Sequence, residues 1–461
     1  IQGNITATKN LNLYGLTTND IGINQGGYTL SGANIQAIGK SGSTFGIKFL
    51  ANAQITTTGT SGDSVVVGYG ASTSGSGGAG VVAMTGGNVF RAASGTTLTV
   101  NGQATTVAAD TNTSTRGIRI DGTVDTYGTV SLIGNSGSSD GFLLQAGSIS
   151  VQTGSLNITG TLTANGGGWR PGVNISQPIW LYNNTSINIL GKAANSGVMT
   201  AGQAEWGVST NGSGTIKEFT GQTAGNITIT GYTSSSQNSE GVLLNGALST
   251  NGGNIKITGQ TLAGEAGSGV KVSTSLTAAN GNITVQSIGS NITLTNGTYS
   301  AKNIIIDNTG AGLTSLIADS TGGQSLVVGT AMGGSIDDTT GAITAGTGIR
   351  TAVGAAAAVS LVGTNSLLAT GNINIQGNTA NTSNIGINTA STASITDTGV
   401  AKQIRLQSNN AIVNAAPIKI TGSTGTGSGI SLMSTNAGIS GAGAIGDATN
   451  KNATITFGDG G

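Results

Sequence analysis

A repeat of constant period runs through the middle of the chain. The dipeptide Asn-Ile recurs at Asn226-Ile227, Asn254-Ile255 and Asn282-Ile283, and the numbering advances equally each time (254 − 226 = 28; 282 − 254 = 28). The same interval separates Gly241-Val242 from Gly269-Val270 (269 − 241 = 28). A constant period of this size is typical of a solenoid, in which one supersecondary unit stacks on the next.

Each repeat divides into three short segments with the alternation of half-buried strands. In the repeat that begins at Asn254 these segments are 255–257, 270–272 and 275–278. Apolar and polar side chains alternate along them, and the Gly and Asn residues between them suit tight turns. We therefore predict an all-β chain, a single right-handed parallel β-helix with three strands and about 25–28 residues per coil.

The repeat predicts one elongated domain over 1–461, with one irregular region. All three tryptophans lie within 166–220, and the interval from Ile187 to Ile227 exceeds the regular period (227 − 187 = 40; 40 − 28 = 12). We expect an aromatic-bearing loop insertion around 166–220, attached at one corner of the coil.

This insertion supplies the candidate ligand-binding residues. Exposed tryptophans beside charged side chains suit stacking on sugars or contact with a protein. The other interpretation, which the residues favour, is that the tryptophans pack the insertion onto the wall of the helix. The candidates are Trp169, Arg170, Trp180, Glu205, Trp206 and Glu218.

The composition removes most catalytic machinery. The chain has no histidine and no cysteine, which excludes Ser–His and Cys–His nucleophiles and imidazole or thiolate metal sites. Paired carboxylates remain, at Asp121 and Asp125 and at Asp337 and Asp338, and two carboxylates at a suitable distance can hydrolyse a glycoside. Outward, solubilising acids are the better interpretation, so we expect no enzyme.

Cofactors and several classes of partner are also disfavoured. No Gly-rich stretch has the lysine and helix of a phosphate-binding loop. The calcium-binding nonapeptide motif is not repeated, and a single calcium ion bound to a loop carboxylate is the alternative that this leaves. We expect no cofactor and no metal site. The 17 basic and 17 acidic residues are spread thinly, which disfavours nucleic acid. No apolar run approaches the roughly 20 residues that span a bilayer.

The repeated Asn-Ile pairs predict a structural ladder. If equivalent residues stack coil on coil, the amides of Asn226, Asn254 and Asn282 form one column. The isoleucines that follow them, Ile227, Ile255 and Ile283, form a second column inside the helix.

The unit GNIKITG at 253–259 is followed by Gly269-Val270 and by Leu-Thr-Ala-Ala-Asn-Gly at 276–281. Such units resemble the repeats of filamentous-haemagglutinin-like exoproteins. The resemblance covers most of 117–290 and parts of 371–435. It implies a long right-handed β-helix on a bacterial surface, exported by a two-partner or autotransporter route, and adhesion, self-association or a stalk as its role. The Asn-Pro-Asn-Gly secretion motif of the family is absent from this sequence.

Together these observations predict a secreted, structural or adhesive β-solenoid of a bacterial surface or matrix. Its expected partners are copies of itself, associating end to end, and glycans or proteins of host or neighbouring cells. The sequence begins and ends in repeat-like text, so we expect a mature chain or a segment of a longer one. The alternative is a β-helix that binds or cleaves polysaccharide with its carboxylates.

Overall fold

The structure is a computed structural model of the 461-residue chain. The chain divides into two compact units, Ile1–Gly252 and Gly253–Gly461. The described residues are 1–72, 78–106, 115–163, 170–193, 205–234, 239–261, 268–288, 291–294, 299–308, 318–320, 325–329, 357–361, 366–369, 373–377, 385–389, 391, 394–397, 403–408, 411–420, 429–435, 438–445 and 454–459.

Short β-strands make up the first unit, and no helix occurs among its described residues. In chain order they are β1 (Ile5–Thr6), β2 (Asn10–Thr17), β3 (Ile23–Gln25), β4 (Thr29–Gly32), β5 (Asn34–Ser41), β6 (Phe45–Phe49), β7 (Gln54–Thr57), β8 (Ser64–Ser72), β9 (Ala79–Ala83), β10 (Asn88–Arg91), β11 (Thr97–Thr106), β12 (Arg116–Ile120), β13 (Thr123–Tyr127), β14 (Thr129–Ser136), β15 (Phe142–Leu144), β16 (Ser148–Val151), β17 (Ser155–Leu162), β18 (Arg170–Ile175), β19 (Ile179–Leu181), β20 (Thr185–Ala193), β21 (Glu205–Thr210), β22 (Ile216–Glu218), β23 (Ala224–Thr233), β24 (Val242–Leu244) and β25 (Leu248–Thr250).

Strands of the first unit that lie three places apart along the chain pair in parallel. Three ladders result. Ladder A contains β3, β6, β9, β12, β15, β18, β21 and β24. Ladder B contains β1, β4, β7, β10, β13, β16, β19, β22 and β25. Ladder C contains β2, β5, β8, β11, β14, β17, β20 and β23. The predicted parallel β-helix with three strands per coil is confirmed; its handedness stays a prediction.

Stacked columns of apolar side chains form the core. In ladder C, Leu132 pairs with Ile158, Ile158 with Ile189, and Ile189 with Ile229, and each is at most 2% exposed. The residues between them along each strand are half-buried or exposed, the period-2 pattern of a strand with one buried face. Burial of each large aliphatic side chain contributes roughly 1.5–3 kcal/mol to stability. Because stacked neighbours complete this burial, each coil is stabilised by the coils on either side.

A glycine contact fixes the corner where ladder C gives way to ladder A. A Cβ atom at Gly191 of β20 would lie 1.9 Å from the carbonyl oxygen of Gly207 in β21. This approach excludes any side chain. The same contact, at 1.9–2.0 Å, recurs at Gly134 with Gly141, Gly160 with Gly172, and Gly231 with Gly241.

Coil length varies although the strands stay paired, with one register shift between Thr185 and Ile187 where β20 meets β23. The partners Leu11 and Ile35 are close in the numbering (35 − 11 = 24), whereas Ile187 and Ile227 are much further apart (227 − 187 = 40). Between Ile187 and Ile227, the longest connection between strands lies between the end of β20 and the start of β21, at 194–204. Strand pairing constrains the number of residues in the walls of the coil. The differences in coil length therefore fall mainly in the connections that lead from ladder C to ladder A.

The second unit repeats the parallel arrangement. Its strands are β26 (Ile255–Gln260), β27 (Ser268–Val272), β28 (Leu276–Ile288), β29 (Asn291–Leu294), β30 (Tyr299–Asn308), β31 (Ala318–Ser320), β32 (Ser325–Gly329), β33 (Ala357–Leu361), β34 (Ser366–Ala369), β35 (Ile373–Gly377), β36 (Ile385–Thr389), β37 (Ser394–Asp397), β38 (Gln403–Ser408), β39 (Ala411–Asn414), β40 (Ile418–Ile420), β41 (Gly429–Ser434), β42 (Ile439–Ser440) and β43 (Thr454–Asp459).

Three parallel ladders can also be followed in the second unit. One runs β26, β28, β30, β32, β35, β38, β41, β43; a second runs β31, β34, β37, β40; and a third runs β33, β36, β39, β42. Strand β27 pairs with β29. Ile255 pairs with Ile283, which is the offset that the repeat predicts (283 − 255 = 28). Both isoleucines are fully buried.

The amide column expected at Asn226, Asn254 and Asn282 stays a prediction. Asn226 belongs to the first unit and the other two to the second, and the Asn282 side chain lies outside the described residues. An amide contact of the expected kind occurs in ladder C of the first unit, where Asn188 Nδ2 donates to Asn157 Oδ1 at 2.9 Å.

Candidate ligand-binding surface

Most of the stretch expected to be an insertion belongs to the regular wall. Residues 170–193 and 205–218 contain strands β18 to β22, each paired in register with its neighbours. Trp169 lies outside the described residues, as do 164–168 and 194–204. The unusual composition fits the wall because bulky side chains such as Trp180 occupy outward positions, which the core does not constrain.

The remaining candidates separate into two groups on different ladders. Arg170, Glu205 and Trp206 lie on β18 and β21 of ladder A, where Arg170 is the register partner of Glu205. Trp180 and Glu218 lie on β19 and β22 of ladder B, where Trp180 is the partner of Lys217 and Leu181 that of Glu218.

The ladder A group lies in a network of buried charges. Arg116 Nε is 3.2 Å from Asp140 Oδ2, and Arg170 Nη1 donates to Ser139 Oγ at 2.7 Å. Burial raises the pKa of Asp140, opposed by the charges of Arg116 and Arg170, and burial lowers the pKa of Arg170. These pairs hold neighbouring coils together where each ladder A strand begins.

Glu205 and Trp206 are also buried. Among the described residues, neither carboxylate oxygen of Glu205 has a hydrogen-bond partner. Glu205 is fully buried, and burial raises its pKa to about 7. The indole N–H of Trp206 donates to the Glu240 carboxylate of the next coil, and only 9% of Trp206 is exposed. This geometry fits packing against the helix wall better than stacking on a ligand.

Glu218 occupies a position that points inward in earlier coils. Its register partner is Leu181, which pairs in turn with Val151, and both of these are fully buried. Glu218 Oε1 accepts a hydrogen bond from Ser249 Oγ at 3.0 Å, while Oε2 is buried and has no partner among the residues that the structure describes. The apolar column of ladder B is therefore interrupted by a carboxylate at this coil.

The outer face of ladder B carries a row of aromatic and charged side chains, which we name the aromatic strip. Its members are partly exposed and occupy two adjacent columns. They are Arg91, Asp125, Tyr127, Trp180, Tyr182, Lys217 and Phe219.

Rings and cations are in contact along the strip. Tyr182 stacks on Phe219 with ring centroids 4.7 Å apart, and Trp180 meets Phe219 edge-on at 5.8 Å. Lys217 Nζ lies 4.8 Å from the centre of the Trp180 ring, and the Arg91 guanidinium carbon lies 3.7 Å from the centre of the Tyr127 ring. Both are cation–π arrangements.

An open groove of about 400 Å³ borders the Arg91 end of the strip. It follows the corner between ladders B and C and offers hydroxyl groups and backbone amides. It is lined by Thr57, Arg91, Ala92, Ala93, Ser94, Gly95, Tyr127, Gly128, Thr129, Thr153 and Gly154.

Of the candidate catalytic carboxylates, the structure describes Asp121 and Asp125. Asp121 is held by Arg119, whose Nε lies 2.8 Å from its carboxylate, and Asp125 lies on the aromatic strip, one register step from Ser150. Asp337 and Asp338 lie outside the described residues. Within the described ranges, no three acidic side chains gather in a way that would hold a metal ion, and no helix is long and apolar enough to cross a membrane.

Sequence reasoning named Trp180 but missed the rest of the strip. A signal was present, because Tyr127 and Tyr182 directly precede Gly128 and Asn183, residue types that suit turns and that both have positive φ here. A residue between a strand and such a turn points outward at the corner, and aromatic residues in that position on successive coils must stack. Finding the residues of the strip requires knowing which positions of successive coils are register partners, and the varying coil length hides this in the sequence.

No protein-family model, curated protein or solved structure matches the sequence.

Proposed function

We propose that the chain is a structural and adhesive β-solenoid, secreted by a bacterium to its surface or matrix. The observation that supports this role most is the in-register stacking of three ladders, which places the apolar residues inside. Solenoids built this way present extended outward surfaces suited to binding. The resemblance to filamentous-haemagglutinin-like repeats points the same way.

Catalysis is not part of this proposal. Of the acidic side chains discussed above, Asp140 and Asp121 are each paired with an arginine, Glu205 is buried, and Glu218 accepts from Ser249. Glycoside hydrolysis needs two carboxylates on either side of an accessible substrate. These environments favour structural roles for the acids.

The adhesive role is tested with the purified chain. We expect it to attach to bacterial or host cell surfaces and to release no reducing ends from polysaccharides. Asp121→Ala and Asp125→Ala variants should not change that absence of turnover. Release of sugar that is lost in either variant would instead establish the polysaccharide-cleaving alternative.

Self-association belongs to the same proposal. Unpaired strand edges favour pairing with a further chain, and a parallel ladder is extended by any coil of the same register. Electron microscopy and sedimentation over a range of concentrations test this. Unbranched filaments that lengthen with concentration are expected, and separate particles at every concentration would remove self-association from the proposal.

The aromatic strip favours a second candidate function, binding of a polysaccharide without cleavage. Partly exposed rings beside cations and hydroxyl groups match the apolar faces and polar rims of sugars. This function is compatible with adhesion, because a glycan on another cell would be the ligand.

A further inference from the structure

We propose that the aromatic strip binds a segment of an acidic polysaccharide that lies along the stacking direction of the coils. The proposal rests on the second candidate function and specifies the site, the direction and the class of ligand.

The direction follows from the register. Arg91 is the partner of Tyr127. The backbone N–H groups of Gln152, Tyr182 and Phe219 donate to carbonyls of the preceding coil, which continues this column through the next three coils. Arg91 and Phe219 are therefore four coils apart, about 19 Å at the usual spacing of roughly 4.8 Å between strands. A site of this shape suits an extended polymer.

The rings supply the stacking surfaces. Phe219 is 41% exposed, and Tyr127, Trp180 and Tyr182 are partly exposed. Aromatic faces pack against the C–H groups of sugar rings, while the edges of the sugar stay hydrated. Between Tyr127 and Tyr182 the column contains Gln152, whose amide both donates and accepts hydrogen bonds and so suits sugar hydroxyls.

The cations indicate an acidic ligand. Arg91 and Lys217 lie in the first and last coils of the strip, each over an aromatic ring. Neither has an acidic partner within ion-pair distance in the described part of the chain. A carboxylate or sulfate would pair with them, and an arginine can bind such a group through two hydrogen bonds.

One acidic residue lies between these cations. Asp125 is the register partner of Ser150, which pairs with Trp180. Burial raises the pKa of Tyr182, and the negative charge of Asp125 raises it further. A carboxylate here accepts hydrogen bonds from sugar hydroxyls and repels acidic groups. We therefore expect the acidic groups of the ligand to lie at the two ends of the strip.

Binding of the purified full chain to soluble polygalacturonate tests the proposal, with neutral galactan as the comparison polymer. We expect measurable binding to polygalacturonate, weaker binding to galactan, and a decline in affinity as salt rises, since salt screens the charges. The Trp180→Ala, Tyr182→Ala double variant should lose about tenfold or more in affinity for the acidic polymer, corresponding to roughly 1.4 kcal/mol. The Arg91→Gln, Lys217→Gln variant should remove the preference for it.

Matched controls lie on the outer face of ladder C. Tyr14 is 67% exposed on β2 and Lys40 is exposed on β5, so Tyr14→Ala and Lys40→Gln remove similar groups away from the strip. Thermal unfolding checks that every variant is folded. Equal losses in the control and strip variants, or equal affinity for the two polymers, would overturn the proposal.

The same variants separate this proposal from the proposed function. If the parent chain attaches to cells but the strip variants bind polygalacturonate as well as the parent does, the strip proposal fails while adhesion stands. If the parent chain binds polygalacturonate but attaches to no cell surface, adhesion fails and the strip proposal stands.

Discussion

At the scale of single residues, Glu205 is the most unusual group in the first unit. Its carboxylate is buried in β21 and has no hydrogen-bond partner in the described part of the chain. Arg170, its register partner, donates to Ser139, and Glu240 accepts from Trp206. Burial without a partner disfavours the ionised form. The protonated acid is therefore the form that suits the fold.

This environment gives folding stability a defined dependence on pH. Burial raises the pKa of Glu205 from 4.5 to about 7, so over that range the folded chain holds a proton that the unfolded chain releases. Stability should fall as the pH rises through this range and level off above it. Burial also raises the pKa of Asp140, so this group likewise lowers folding stability as the pH rises.

Thermal unfolding of the Glu205→Gln variant between pH 4.5 and 8 tests the prediction. The fall of the melting temperature with pH should be smaller than in the parent chain, because a glutamine does not ionise. Asp20→Asn, an exposed acid in a turn, is the control and should leave the fall unchanged. A parent chain whose stability rises from pH 5 to pH 7 would contradict the assignment.

The corner glycines lead to a second prediction at this scale. Gly191→Ala would place a Cβ 1.9 Å from the Gly207 carbonyl oxygen, and the backbone must move to relieve the overlap. We expect a loss of about 1–3 kcal/mol or more in the free energy of unfolding, measured in urea. Gly212→Ala is the control, because nothing lies within 4 Å of its Cβ; an equal loss there would show that the corner contact is not the cause.

At the scale of elements, β19 shows how one strand divides its side chains between core and surface. Ile179 and Leu181 are fully buried, and Trp180 between them points out onto the strip. Leu181→Ala should cost about 2–5 kcal/mol, since it leaves a cavity in the core. Trp180→Ala should cost roughly 0.5–1.5 kcal/mol, the range for lost ring contacts. Urea unfolding of both variants measures the difference, and a larger loss for Trp180→Ala would place it in the core.

The strands were predictable from the sequence where their alternation is regular. The pairing of Ile255 with Ile283 was expected from spacing alone, because inward positions must repeat the same apolar chemistry. The wall at 170–193 was not expected, since Trp180 and Pro171 broke the compositional pattern. Outward positions and corners are free of the packing that makes a sequence periodic, and the aromatic strip consists of such positions.

At the scale of the molecule, the coil is the unit of construction, and this can be tested by deletion. Val130 and Leu156 occupy equivalent positions in successive coils. Removing 131–156 takes out one whole coil (156 − 130 = 26), joins strands of the same register and should leave a folded β-helix. Removing 131–143 instead takes out half a coil, so the strands on the two sides of the junction lose their register partners, and the melting temperature should fall well below that of the whole-coil deletion. Circular dichroism during heating distinguishes the two, and similar unfolding of both would contradict the coil as the unit.

The varying coil length has a mechanical consequence. Among the described residues of the first unit, the ladders bond each coil to the coils above and below it, so a force that pulls an outermost coil away acts on one coil at a time. Each step then releases the chain between one register partner and the next, on the order of 80–140 Å at roughly 3.3–3.6 Å per residue. The number of residues between register partners, which differs from coil to coil, would set how far the chain extends at each step under load.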